Sequence, residues 1–467
     1  MVRSFTTFLP DPHTAPHAVP SDKDIPMLTF SGRSATFCDG ISRRNAIQIG
    51  SLGMVGFGGL GLDRVLRARN TQPIASRKNT SVIFIELAGG PTQFETYDPK
   101  PHAPKEYRGA FGTVQTSLPG VIFSEWMPRQ AKLADKLAIV RSIHHPSNSH
   151  DPSSHLTQTG YYKRGPKGGI NQMPAFGCVV AKVRGPNAPT LPPYVAVPRI
   201  MRNGGPAHLG KSFNPFETVT DPSKKGFKVQ NLALNKTLNR QRLSDRKSLL
   251  GALDAQRRLA DLQGASEAVD DFTYQAFDLI TGDAARVAFD IDAEPDSIRD
   301  AYGRTSNGQS LLLARRLVEH GVTCVTVRVT GWDDHSKIAD RLKTKAPSYD
   351  QGAAALVSDL HDRGLADDVL VVSMGEFGRT PRVNKNAGRD HWGAVMSVML
   401  SGGGLQTGVL GASNSRGEVP AANAYRPENV LAMIYRHLGI DPGMTFDDFS
   451  GRPRHLLERR ELIKELV

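Results

Sequence analysis

One pattern recurs from the eighties of this chain to its four-hundreds: a short apolar run, a polar turn, then a stretch with helical spacing. Ser81–Leu87 (SVIFIEL) is the first such run, rich in β-branched residues and ending in Ala88-Gly89-Gly90-Pro91. It reads as a buried strand closed by a turn. Similar runs lie at Leu137–Ile143, Tyr194–Pro198, Val322–Val329, Val369–Ser373 and Ala394–Leu400. Helical patterns fall between several of them, at Pro128–Lys136, Met173–Val183, Ser310–His320 and Ser348–Arg363. Strands alternating with helices imply an α/β fold with a mainly parallel sheet covered on both faces. In such sheets ligands collect at the carboxyl ends of the strands, so the turns after the runs are where chemistry is expected.

Those turns are unusually polar. After Val322–Val329 comes Gly331-Trp332-Asp333-Asp334-His335, and in an extended segment residues i and i+2 share a face, so Asp333 and His335 can point to one center. After Val369–Ser373 come Glu376 and Arg379, presented by a sharp turn that Gly375 and Gly378 allow, and Gly388-Arg389-Asp390-His391-Trp392 precedes the last run. Singly, each group has a structural explanation as an ion pair, a helix cap or a hydrogen-bonded histidine. Together, charged groups brought close at one sheet edge need partners or an ion. A loop-like stretch, His144 to His155, adds four histidines within twelve residues after the run Leu137–Ile143.

Two segments stand apart from this pattern. Asn235 to Asp283 has helical periodicity, many charges and no strand candidate, and reads as a helical insertion over the sheet. Ahead of residue 80, Ser42-Arg43-Arg44-Asn45 precedes the Gly-rich, moderately apolar IQIGSLGMVGFGGLGL, a twin-arginine export signal by its pattern. Residues 1–42 are expected to be disordered, 43–70 to be the signal and 80–467 to be the folded domain. An exported, periplasmic or cell-envelope location is expected in consequence, with a membrane tether if the signal stays uncleaved. The formal dinucleotide fingerprint Gly56-Phe57-Gly58-Gly59-Leu60-Gly61 lacks a preceding strand and is read as part of the signal. Towards the other end, Pro427–Gly439 reads as an amphipathic helix, and a short charged helix is expected from His455 onwards.

Charge and cysteine usage exclude other classes. The formal charge is +12, but ten Lys or Arg against five Asp in the first eighty residues supply about +5 of it. The other basic residues are scattered without a stripe or interleaved aromatics, so nucleic acid is not an expected partner. Cys38, Cys178 and Cys324 form no CxxC pair, so neither a zinc knuckle nor a disulfide framework is signalled. Oligomeric state is not encoded in any of these features.

The motifs GGPTQFETYDPKP, GWDDH, GEFGRTP and GRDHW, spread from Gly89 to Trp392, resemble those of the family called domain of unknown function 1501, within the alkaline phosphatase and sulfatase-like superfamily. The resemblance implies a doubly wound sheet with one or two divalent metals at its carboxyl edge and an anionic ester as substrate. On that template Asp333, His335, Glu376 and His391 are the metal candidates, the ion being Zn, Ca, Mg or Mn. HDPSSHLTQTG, His150 to Gly160, resembles the sulfatase nucleophile segment but carries His150 where the modified Cys would stand. Ala88 and Gly89 occupy the place of an early metal-binding Asp.

The function expected from these residues is an exported metal-dependent hydrolase of a phosphate or sulfate ester, or a related anionic small molecule or glycan. His150 and Arg379 are the catalytic candidates, with Arg379 gripping the anion through its planar fork. With no Ser or Cys seated as nucleophile, water activated by the ion is the simplest attacking group, and Ser153 and Thr157 are weaker alternatives. The competing expectations are a non-enzymatic envelope protein that binds a glycan or partner in a degenerate pocket, and a purely structural ion-pair network.

Overall fold

The computed structural model describes residues 79–109, 111–165, 171–229 and 283–467. All of them belong to the unit Ala75–Val467. The export signal, the N-terminal extension and nearly all of the expected insertion over 235–283 lie outside the described residues.

Eight strands form the central sheet: β1 (Ser81–Leu87), β2 (Ala138–Ile143), β3 (Tyr194–Val197), β4 (Phe216–Glu217), β5 (Cys324–Val329), β6 (Val369–Met374), β7 (Met396–Gly402) and β8 (Gly408–Leu410). Their spatial order is β8-β2-β7-β6-β1-β5-β3-β4. All pairings are parallel except those of β7, which runs antiparallel to both β2 and β6. The fold is therefore α/β with a mainly parallel sheet, as the alternating runs imply. One reversed strand has a consequence for the site, because its amino end lies at the edge where its neighbours end.

Alternation along β1 explains why its run Val82–Ile85 is apolar without a break. Ile83, Ile85 and Leu87 pack into the core on one face, while Val82 and Phe84 pack into the core on the other. Helices α3 (Ser306–Glu319) and α4 (Ile338–Asp362) supply Leu311, Leu312, Tyr349 and Leu356 to the first layer. Helices α2 (Phe176–Val183) and α5 (Pro427–His437) supply Phe176, Val179, Val430 and Ile434 to the second. Buried strands of this kind carry β-branched residues because both faces meet side chains rather than water.

Two expectations need correction. The stretch His144 to His155 is not all loop, since α1 (His150–Thr159) begins at His150. Pro152 sits in its first turn, where the missing N–H costs nothing. The charged tail after His455 forms no α-helix: Pro453–His455 pairs with Thr445–Asp447 as a hairpin, and only a 3-10 turn comes later, at Lys464–Leu466. No helix among the described residues is long and apolar enough to cross a membrane.

Away from the sheet edge, Arg315 of α3 is fully buried. Its guanidinium meets Glu294 at 2.7 Å, Asp359 of α4 at 2.9 Å and Glu319 at 2.5 Å. Burial opposes the charge on Glu294, but the bonds from Arg315 and Arg316 hold its carboxyl below the ordinary value. Replacing Arg315 by Met leaves these carboxylates only the outer cations Arg316 and Arg363, and breaking a buried pair costs up to about 3–5 kcal/mol. Urea unfolding of Arg315→Met should show a loss of that size, and an unchanged midpoint would refute it.

Candidate metal centre

The site lies along the carboxyl edge of the sheet, where four chain segments meet. The turn after β5 brings Asp333 and His335, the turn after β6 brings Glu376, and the segment after β2 leads to His150 at the first turn of α1. His391 comes from the segment before β7. Because β7 is antiparallel to its neighbours, the residues just ahead of it arrive at the same edge as the turns that close β2 and β6. A two-residue ribbon, Gly378–Arg379 paired with His391–Trp392, holds this approach in register.

Three imidazoles converge on Asp333 through the same ring atom. The Nε2 atoms of His335 and His391 each lie 3.0 Å from its Oδ1, and that of His150 lies 3.3 Å from its Oδ2. The Nε2 atoms of His335 and His391 are themselves 3.0 Å apart. Behind each ring, Nδ1 faces a fixed acceptor: Glu376 Oε1 at 2.7 Å from His150, Asp390 Oδ1 at 2.7 Å from His335, and the Asn148 carbonyl at 3.0 Å from His391. An acceptor on Nδ1 sets the tautomer and leaves the Nε2 lone pair for a cation, the arrangement found behind metal-bound histidines. Ligand atoms about 2.1 Å from one ion stand roughly 3–3.5 Å apart, so these separations fit a shared cation. His150, Asp333 and His391 each offer one such atom, all within 4.8 Å of one another.

The aromatic surroundings fix the rings further. Phe377, fully buried, stacks on His391 with centroids 4.3 Å apart and lies 5.2 Å from the His150 ring. Burial lowers the His391 imidazole below its ordinary value despite the bond to Asp333, which favours the neutral form that ligates metals. The Glu376 hydrogen bond raises His150 above its ordinary value, against burial. Burial would raise the Asp333 carboxyl, but hydrogen bonds from Arg379 and His391 outweigh it and hold the group well below the usual carboxylate range.

Of the six residues singled out in the sequence, all reach this edge, but two do so with unexpected geometry. Glu376 stands behind His150 rather than beside Asp333, its carboxylate accepting the Gly89 N–H at 3.1 Å on each oxygen. Arg379 is fully buried and its donors are committed: Nε to the Gly90 carbonyl at 2.9 Å, Nη1 to Arg389 O at 2.9 Å, and Nη2 to Gly89 O, Trp332 O and Asp333 Oδ1, the last at 2.6 Å. That guanidinium faces carbonyls instead of solvent, so the expected grip on a substrate anion is closed to it. Neither weaker hydroxyl candidate is poised to attack: Ser153 is buried against Ser147, and Thr157 donates to the Ser154 carbonyl within α1.

The four histidines of the stretch after β2 separate in space. His145 Nε2 meets the Glu376 carbonyl oxygen at 2.7 Å, and burial lowers its pKa to about 4. His155 is buried inside α1, its Nδ1 2.6 Å from the Tyr161 carbonyl. Only His150 points to Asp333.

Sequence reading missed Asp390 and Asn148, whose roles depend on which ring atom they face. It also missed Glu86, at the end of β1 beside Arg328 with Nε to Oε2 at 3.2 Å. Burial and then the charge of Glu376 push Glu86 up to about 8, against the pull of Arg328 and Arg202. Its apolar strand context concealed it.

Glu86 thus has a folded value above its unfolded one. Between about pH 4.5 and 8 the native protein keeps a proton that the unfolded chain has released, so stability falls as pH rises through that window. In chelated protein the Glu86→Gln variant should lose this slope, with a difference of at most roughly 4–5 kcal/mol. Denaturant midpoints measured from pH 5 to 8 would check it, and parallel curves for the two proteins would refute it.

Comparison with solved structures returns weak likenesses. The lipoteichoic acid synthase LtaP from Listeria monocytogenes is 11% identical with TM-score 0.33, covering 79% of this chain and 74% of that one. The PsFucS1 sulfatase from Pseudoalteromonas sp. is 12% identical with TM-score 0.35, covering 80% and 70%. TAB5 alkaline phosphatase is 11% identical with TM-score 0.34, covering 77% and 98%. At such scores the functional reading rests on the site itself. No curated protein matches the chain in sequence. Residues 79–467 match one family throughout, and the chain belongs to it: Protein of unknown function (DUF1501).

Proposed function

We propose that this protein is an exported, metal-dependent hydrolase acting on a phosphate or sulfate ester or a related anionic substrate. The observation that carries the reading is the convergence of three Nε2 atoms on Asp333, each ring held from behind by its own Nδ1 acceptor. A network built only for stability has no need to turn three imidazole Nε2 atoms onto one carboxylate.

In this reading His150, Asp333 and His391 hold a divalent ion, with His335 as a further donor. When bound, the ion supplies Lewis acidity: it polarises an ester oxygen and lowers the pKa of a coordinated water. The chain supplies orientation. Glu376, Asp390 and the Asn148 carbonyl keep the Nδ1 proton on each ring, and Arg379 keeps Asp333 ionised and immobile. His335 and Asp333 are each more than two-fifths exposed, which leaves an open side for substrate. The twin arginines at Arg43 and Arg44 support export, and the motifs from Gly89 to Trp392 support kinship with alkaline phosphatases and sulfatases.

Metal analysis and turnover of aryl phosphate and aryl sulfate esters provide the test. The wild-type protein should hold a divalent ion and lose turnover on chelation. Asp333→Ala and His391→Ala should lose both ion and turnover. Glu376→Gln should weaken ion binding about 10–100-fold, as expected for a group that orients a ligand. Full metal load and turnover in both alanine variants would sink the assignment. Chelator-insensitive binding of a polyanionic glycan without turnover would favour a binding protein instead.

A further inference from the structure

Arg379 is committed to carbonyls and Asp333, so a guanidinium to hold an anionic substrate beside the ion must come from elsewhere. The loop after β3 offers one. β3 is parallel to β5, so residues beyond Val197 emerge at the same carboxyl edge as Asp333. Arg202 stands in this loop with an exposed side chain, and among the described residues it makes no hydrogen bond or ion pair.

Its position is nevertheless fixed from both sides. Met201 is buried in the core. Asn203 adopts a left-handed backbone at φ 57 and donates from Nδ2 to Asp151 O at 2.9 Å and to Asp151 Oδ1 at 3.1 Å. Lys163 Nζ reaches both Asp151 Oδ1 and Asn203 Oδ1 at 3.2 Å, and Asn171 Nδ2 donates to Asn203 O at 2.6 Å. Asp151 is the residue after His150, so the loop that carries Arg202 is bolted to the helix turn that carries a proposed metal ligand.

We propose that Arg202 grips the tetrahedral oxyanion of the substrate, its planar fork taking two oxygens of a phosphoryl or sulfuryl group beside the metal centre. An arginine with no partner, seated on an otherwise cross-braced loop, keeps its donors free for a ligand. The proposal rests on the reading of the site as one for anionic esters, and it assigns to Arg202 the task that Arg379 cannot perform.

Calorimetric titration of metal-loaded protein with inorganic phosphate and with sulfate tests it without requiring turnover. One or both anions should bind the wild-type protein. Arg202→Gln should bind roughly ten- to a hundredfold more weakly, the worth of charge-assisted hydrogen bonds, and Arg202→Lys should recover part of the loss. Metal content should be unchanged in both variants, which separates this outcome from a failure of the metal site. With an aryl ester, the loss in Arg202→Gln should fall more on KM than on kcat. Equal anion affinity in Arg202→Gln and wild type, or no binding of either anion to the metal-loaded wild type, would overturn the assignment.

Discussion

The buried guanidinium of Arg379 is the interaction on which the sheet edge depends. A cation removed from water must be compensated on all its donors, and here the compensation comes from three separate turns. Gly89 and Gly90 after β1, Trp332 and Asp333 after β5, and Arg389 before β7 all lend oxygens to it. These turns can close around one group only where the backbones approach tightly. A Cβ on Gly89, at φ +114, would lie 2.5 Å from the Asp333 nitrogen, and one on Gly90 would meet the Phe377 ring at 2.4 Å. The glycines are thus part of the same device as the arginine.

A second buried arginine extends it. Arg389 is fully enclosed, bonded to Glu95 at 2.9 Å and to the Tyr107 carbonyl at 2.7 Å, while its backbone N–H meets Asp334 O at 2.9 Å. Gln93 brackets Arg379 with two bonds of 2.9 Å to its backbone. The segment GGPTQFE is therefore a socket for the arginines of GEFGRTP and GRDHW, which explains why these motifs occur together in one chain. Asp334 faces away from Asp333 and pairs with Lys345 and Arg341. Adjacent residues of one extended turn thus divide the labour, one bracing the fold and the other facing the site.

On this scaffold the site achieves order without closure. Each imidazole is supported from a different element: His150 by the turn after β6, His335 by the segment before β7, His391 by the loop ahead of α1. Positions set by several elements at once are those a ligand need not reorganise, which lowers the cost of binding. The opposed shifts of His150 and His391 show how environment separates like groups: a carboxylate behind one ring favours the charged form, and burial of the other favours the neutral one.

Local pattern was enough to set the layers and their edge. Apolar runs without polar alternation demand a sheet covered on both faces, and polar residues just past Val329 and Met374 have only the carboxyl edge to occupy. That logic placed Asp333, His335 and Glu376 within one neighbourhood. Which atom of each residue faces which partner was settled only by packing between distant segments. The reversal of β7 depends on long-range pairing and leaves no mark in local periodicity, yet it delivers His391 to the others. The roles of Glu376 and Arg379 were likewise illegible, because a carboxylate or guanidinium reads the same in sequence whether it faces a cavity or a wall of carbonyls. Arg202 passed unnoticed for the same reason: being unpaired is a property of surroundings, and surroundings exist only once the chain has folded.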